Sequence, residues 1–147
     1  MEMNFKLKKY CIVLLVLCSS MVVLGQSNGV DKRVIEMYGS ATVAQMEVDQ
    51  PQTLAYLNYY IQYGYQIVTD LPKEKVLNFQ DISSLRFKLS KKPVTVDDLD
   101  NLNLLMLDLV RGNDEFKTYR IGNTGKAIVF IAPSQVMSQF LLTQGNK

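Results

Sequence analysis

Histidine is absent from the sequence, and this absence limits the chemistry that the chain can perform. Ser-His-Asp and Cys-His machinery both need an imidazole as general base, and many zinc sites need one as a ligand. The two cysteines, Cys11 and Cys18, lie within an apolar run near the N-terminus. The groups that remain for catalysis are a carboxylate pair, a Ser-Lys pair or a tyrosine.

A cluster of carboxylates at Asp97, Asp98 and Asp100 is the first candidate ion site. A calcium loop of the EF-hand type needs oxygen ligands at alternate positions and a central glycine. Counting from Asp98, the third alternate position is Leu102, and no glycine stands where the turn would need one. We therefore interpret the cluster as the acidic start of a helix, and we expect no metal site and no cofactor.

The sequence Gly-Asn-Thr-Gly-Lys at residues 122–126 matches part of a phosphate-binding loop. The complete motif has a glycine five residues before the Gly-Lys pair and a serine or threonine directly after it. Arg120 and Ala127 occupy those two positions, so the match fails. The segment is better interpreted as a hairpin turn, in which Gly125 can adopt a positive φ angle.

Four tyrosines in one short segment are the candidate binding residues. At about 100° per residue, Leu54, Leu57 and Ile61 form one stripe of a helix, and the tyrosines form another on roughly the opposite side. One helix cannot easily bury both stripes against a single sheet, so it is either sandwiched or exposes part of the second stripe. This second stripe, the tyrosine stripe, consists of Tyr56, Tyr59, Tyr60 and Tyr63.

An exposed tyrosine stripe would suit recognition, because each ring offers contact area at low entropic cost and each hydroxyl offers a hydrogen bond. Tyrosine rings also stack on sugars. The alternative is a wide core helix whose tyrosine hydroxyls reach solvent at its rim. We predict a non-enzymatic module that binds a protein or a cell-envelope structure. The alternatives are a glycan-binding module and, less favoured, an enzyme that uses carboxylates or a Ser-Lys pair.

The N-terminal segment has the three parts of a secretory signal. Residues 1–9 contain three lysines, residues 10–24 are apolar or small, and Gly25 is a small residue before the expected cleavage site. We predict a signal peptide over residues 1–25 and one small soluble domain over residues 26–147. The expected location is the periplasm or the exterior of a diderm bacterium.

Three alternatives to this cleavage are less consistent with the residues. Cleavage after Ser20 is a weaker alternative to cleavage after Gly25. A stable transmembrane anchor needs about 20 apolar residues, whereas this run is shorter and contains two serines. Lipidation of Cys18 requires a small residue before the cysteine, and Leu17 stands there.

Removal of the predicted signal changes the charge of the chain. The full sequence has 16 basic and 14 acidic residues, for a net charge of +2. The signal takes three lysines and one glutamate, so 13 basic and 13 acidic residues remain. A balanced charge gives no support to a nucleic-acid partner.

The pattern of elements predicts an α+β fold with N-terminal helices, an antiparallel β meander of about four to five strands and a closing C-terminal helix. Asp31 is a plausible N-cap, Gly39 ends the first helix, Ser40 can cap a second helix and Pro51 suits the first turn of a third. The expected strands are residues 65–69, 85–89, 117–121 and 126–132, and the last helix is residues 135–143.

Two stretches remain open. Residues 73–84 have no clear pattern. In residues 94–112, Thr95 and Asp98 resemble a capping box, and the leucines that follow fit a helix. The competing interpretation, which we favour, is a helical turn over residues 96–101 followed by a strand over residues 104–111.

Overall fold

The computed structural model describes residues 29–109 and 114–145, and the predicted signal peptide lies outside these ranges. The helices are α1 (Lys32–Tyr38), α2 (Ser40–Asp49), α3 (Pro51–Tyr63), α4 (Lys73–Leu77) and α5 (Pro133–Gly145). The strands are β1 (Tyr65–Val68), β2 (Gln80–Asp81), β3 (Lys117–Arg120) and β4 (Ala127–Phe130). Three 3₁₀ helices connect them, at Ile82–Ser84, Val96–Asn101 and Leu104–Met106.

A side-chain cap begins the first helix, whereas the second and third helices begin without one. The cap predicted at Ser40 is wrong, because Ser40 is the first residue of α2 and Gly39 is its N-cap. The carboxylate of Asp31 accepts a hydrogen bond from the backbone N–H of Arg33 at 2.9 Å, which satisfies a donor at the start of α1. Gly39, with φ of 82°, separates α1 from α2, and Pro51 begins α3. The predicted boundaries of these helices are confirmed.

Gly64 ends α3 where the chain has no room for a side chain. Its N–H donates to the carbonyl oxygen of Tyr60 at 2.8 Å. A Cβ atom at this position would lie 2.5 Å from that carbonyl oxygen and 3.1 Å from Cδ1 of Leu104. The close approach brings the Leu104–Met106 segment against the end of α3.

The four strands form one sheet in the order β1-β4-β3-β2. Strand β4 lies inside the sheet and pairs antiparallel with both β1 and β3, so that Phe130 is opposite Tyr65 on one side and Lys117 on the other. Strand β4 has buried residues on both faces of the sheet, as an interior strand requires. The turn between β3 and β4 uses positive φ angles at Gly122 and Gly125, as expected for a tight hairpin.

The predicted antiparallel meander is wrong, because the sheet is mixed. Strand β2 pairs parallel with β3, with Gln80 opposite Tyr119 and Asp81 opposite Arg120. An ion pair of 3.3 Å between Asp81 and Arg120 joins the two strands. Parallel neighbours need a long crossover, and the chain between β2 and β3 is the part in which we expected further strands.

The strand expected over residues 85–89 is also wrong. This segment forms isolated bridges, Arg86 with Pro93 and Phe87 with Leu107, outside the sheet. A clean alternation of apolar and basic residues predicted the strand, but the chain turns back directly after Phe87. The backbone N–H of Phe87 donates to the carbonyl oxygen of Lys92 at 3.0 Å, which closes the turn.

In the open stretch, the helical turn is confirmed and the favoured strand is wrong. Thr95 and Asp98 form a complete capping box at the start of Val96–Asn101. The strand expected over residues 104–111 is instead a 3₁₀ turn at Leu104–Met106, followed by a single bridge at Leu107. Asn103 caps this turn by accepting from the Leu105 N–H at 3.1 Å. Residues 110–113 lie outside the described residues.

Two apolar clusters lie on opposite sides of α3. The helix cluster joins α1, α2 and α3, and its buried residues are Val34, Val43, Leu54 and Ile61. The sheet cluster joins α3 to the sheet, to α5 and to residues 82–107, with Tyr60, Leu104, Ile128, Phe130 and Val136 among its buried residues. Within the described residues, no helix is both long and apolar enough to cross a membrane.

Candidate functional site

Helix α3 carries the tyrosine stripe between the two clusters. Leu54 and Ile61, on one stripe, are buried in the helix cluster. Tyr60, on the other, is buried in the sheet cluster, and Tyr56 and Tyr59 pack against the same cluster with part of their surface exposed. The sequence left two arrangements open for this helix, and the structure combines them: α3 lies between the two clusters at Tyr60, and the rest of the tyrosine stripe is exposed in part.

The tyrosine stripe packs against Phe140 of α5. The ring of Tyr56 meets Phe140 edge-on, with centroids 5.6 Å apart, and the ring of Tyr59 lies 5.5 Å from the same residue. Within the stripe, Tyr56 and Tyr60 are 6.0 Å apart and Tyr59 and Tyr63 are 4.5 Å apart. These separations are typical of favourable aromatic pairs, so the stripe helps to hold α5 in place.

Exposure differs strongly along the stripe. Tyr60 is 4% exposed and Tyr63 is 52% exposed, with Tyr56 and Tyr59 between these limits. The four predicted binding residues therefore do not form one open face. Tyr63 offers a ring to solvent, whereas Tyr60 can meet a ligand only through the edge that borders a groove.

A groove of about 250 Å³ runs along the surface between α3 and the segment that follows Asn103, beside the point where Leu104 packs against the end of α3. Tyr56, Leu57 and Tyr60 form the wall on α3. The facing wall consists of leucines, with a lysine beside them: Leu104, Leu105, Leu107, Leu109 and Lys88. The groove, called the α3 groove below, thus contains two residues of the tyrosine stripe.

Lys88 supplies the basic group of the α3 groove. Its ammonium group donates to the carbonyl oxygen of Leu105 at 2.9 Å, which fixes the side chain across the leucine wall. The other lining side chains are leucines and tyrosines, and the surface that the groove exposes is about equally polar and apolar. Such a site can bind an apolar group while polar atoms of its lining form hydrogen bonds with the same partner.

The carboxyl groups with lowered pKa values cap the starts of helices and do not line the groove. Hydrogen bonds from Arg33 lower the pKa of Asp31, and hydrogen bonds from Ser83 lower the pKa of Asp81. Hydrogen bonds from Ser134, at the start of α5, lower the pKa of Asp114. A carboxylate that accepts such bonds is stabilised in its charged form, which explains the shifts without a catalytic role.

The Asp31 carboxylate is expected to make stability depend on pH in acid. Its pKa is lowered in the folded protein from the ordinary value of 3.8, so its contribution is complete above that value and is lost as the pH falls through the folded pKa. Asp31→Asn keeps a capping oxygen but removes the charge. The difference in melting temperature between the parent and this variant should be largest near neutral pH and shrink below pH 3.8. A difference that stays constant with pH contradicts this assignment.

Sequence reasoning missed most of the leucine wall of the groove. The sequence shows the leucines of residues 102–109 as an apolar run, but it predicts a regular strand or helix there. Neither of these elements would place the leucines along one wall of a groove. Lys88 was interpreted as the wet face of a strand. Among the described residues, no group of three His, Cys, Asp or Glu side chains is arranged to hold a metal ion.

Comparison with known proteins assigns the chain to no family. No family model, curated protein or solved structure matches the chain. The function must therefore be inferred from the chain's own residues, and the α3 groove is their most distinctive arrangement.

Proposed function

We propose that this chain is an exported, non-enzymatic binding domain that holds an apolar segment of a protein partner, itself a component of the cell envelope, in the α3 groove. The observation that carries the proposal is the open groove in which the part-exposed Tyr56 and Leu57 of α3 face the part-exposed Leu105 and Leu109. The buried residues Tyr60, Leu104 and Leu107 form the base of this groove. Tyrosines are among the residues that most often provide the binding energy at protein interfaces, and the leucines add apolar surface that a partner would remove from water.

The size of the groove favours a protein side chain over a free metabolite. Small-molecule sites usually enclose roughly 300–1,000 Å³, and this groove measures about 250 Å³. A space of that size accommodates one or two apolar side chains that project from a larger partner. The remaining contacts would then come from the surrounding surface, where Lys88 can meet a carbonyl or carboxylate of the partner.

Two further observations support binding over catalysis. The sequence has no histidine, and both cysteines fall within the predicted signal peptide. The carboxyl groups whose pKa values are lowered serve as helix caps away from the groove lining. An acid–base mechanism in the groove would have to use Lys88 and tyrosine hydroxyls alone.

Site-specific photo-crosslinking in the producing cells tests this proposal. A photoreactive amino acid in place of Leu109, on the leucine wall, should give a discrete adduct with a protein of the cell envelope. The control places the same group at Leu77, an exposed residue of α4 that does not line the groove. We expect no adduct from this control position. Equal adducts from both positions, or none from Leu109, would contradict the proposal.

One observation favours a glycan-binding module as the second candidate. Tyr59 and Tyr63 lie 4.5 Å apart, and Tyr63 is 52% exposed, so the pair offers a ring on which a sugar can stack. This alternative predicts retention of the protein on envelope polysaccharide, loss of that retention in Tyr63→Ala, and no protein adduct from Leu109.

A further inference from the structure

Residues 85–94 form a short hairpin that projects an apolar side chain from a basic segment. The turn is closed by hydrogen bonds between Phe87 and Lys92 at 3.0 Å and from the Lys91 N–H to Phe87 at 2.9 Å, and Lys91 has a positive φ of 56°. Leu89 lies in this turn and is 83% exposed. We call residues 85–94 the basic hairpin.

Basic residues are concentrated within this hairpin, whereas acidic residues flank it in sequence, with Asp81 before it and Asp97, Asp98 and Asp100 after it. Residues 82–96 contain four basic side chains and no acidic one, although residues 26–147 as a whole are balanced. Asp108 pairs with Lys91 at 3.2 Å, but both side chains are largely exposed, at 48% and 68%, so the pair is weak. The four basic residues are Arg86, Lys88, Lys91 and Lys92.

The apolar surface of the hairpin extends beyond Leu89. Phe87 and Leu89, with Met106 from the neighbouring segment, line a shallow depression of about 290 Å³, and Lys92 borders it. Apolar side chains surrounded by lysines are typical of surfaces that lie at a lipid headgroup layer, because the ammonium groups meet phosphates while the apolar groups enter the acyl boundary.

Other exposed apolar residues lie beside acidic or uncharged side chains. Leu77, 68% exposed on α4, is near Lys73 and Lys75, but it shares this short helix with Glu74. Val48, 78% exposed, stands between Glu47 and Asp49. Leu141 and Leu142 are also exposed, but α5 contains no charged residue. Charge complementarity therefore distinguishes the basic hairpin as the surface that fits an anionic bilayer.

We propose that the basic hairpin binds the surface of an anionic lipid membrane, with Lys91 and Lys92 at the phosphates and Leu89 inserted beside them. This surface is different from the α3 groove, although Lys88 borders both. Each basic side chain near an anionic surface contributes about fivefold to partitioning, and the attraction falls with salt. Binding should therefore be reversible and strongly salt-dependent.

Sedimentation with vesicles tests the proposal, using the processed protein purified from the producing cells. Vesicles of phosphatidylglycerol with phosphatidylethanolamine should bind the protein, and vesicles of phosphatidylcholine should bind it far less. The double change Lys91→Gln with Lys92→Gln should lower partitioning by at least about tenfold. Leu89→Ser should lower it several-fold. None of these variants alters Lys88, so crosslinking from Leu109 in the α3 groove should persist.

The matched control removes two charges elsewhere. Lys73→Gln with Lys75→Gln, on the exposed face of α4, gives the same net charge and should retain vesicle binding. Circular dichroism verifies that each variant is folded. Equal loss in both double variants would overturn the proposal, as would binding that does not distinguish the two kinds of vesicle. No vesicle binding by the parent would overturn it too.

Discussion

Tyr60→Ala is expected to lower the free energy of unfolding by about 3–5 kcal/mol, the usual cost of truncating a buried aromatic residue. Tyr60 is 4% exposed and packs in the sheet cluster beside Leu104, Ile128 and Phe130. Alanine leaves a cavity that the sheet and the leucine segment cannot both fill. Because domains of this size are stable by only about 5–15 kcal/mol, urea denaturation should show a large loss of stability.

Tyr63→Ala is the control within the same helix. Its ring is 52% exposed, so removal should change stability by at most about 1 kcal/mol. The two variants together test whether the tyrosine stripe is divided between core and surface. A similar, small loss in both would mean that Tyr60 is not part of the core, and the sandwiched arrangement of α3 would be wrong.

The ends of helices could be predicted because each depends on a few adjacent residues. Asp31 needs only the N–H groups of the next turn, and Thr95 and Asp98 form their capping box within four residues. The helix end at Gly39 and the turn at Gly125 could be predicted for the same reason, because each depends on a glycine that adopts a positive φ angle. In each case the conformational preference of one residue type decides the local structure.

The pairing of strands could not be predicted in the same way. Residues 85–89 alternate as a strand should, yet β2, a two-residue strand from an unassigned segment, is the neighbour of β3. An alternation of apolar and polar residues indicates that one face of a segment is exposed to solvent. It does not indicate which other segment pairs with it. A short hairpin and a strand of a sheet can therefore have the same alternating sequence pattern.

The candidate site was predicted only on its α3 side. The period of the tyrosine stripe identified Tyr56 and Tyr60, which do line the groove. The leucine wall depends on the 3₁₀ turn at Leu104–Met106, whose position is fixed by contacts from α1, about 70 residues earlier in sequence. No local pattern contains that information.

The contact between α1 and the leucine wall is made by Asn103, and its removal should have the second large effect on stability. Asn103 is 4% exposed; its amide donates to the Arg33 carbonyl oxygen at 2.8 Å and its side-chain oxygen accepts from the Leu105 N–H at 3.1 Å. Asn103→Ala leaves buried groups without these partners, which should cost about 2–4 kcal/mol. Crosslinking from Leu109 should also fall, because the leucine wall loses its support.

Asn101→Ala is the control that separates the loss of the Asn103 hydrogen bonds from a general sensitivity of this segment to substitution. Asn101 is exposed and accepts from the Lys32 ammonium group at 3.3 Å, so its loss should change stability by less than about 0.5 kcal/mol. Chemical denaturation of both variants, with crosslinking measured under conditions in which both remain folded, gives the comparison. If Asn103→Ala is as stable as Asn101→Ala, the hydrogen bonds to α1 do not hold the wall. If Asn103→Ala is destabilised but still gives the normal crosslink from Leu109, the groove does not depend on the Asn103 cap.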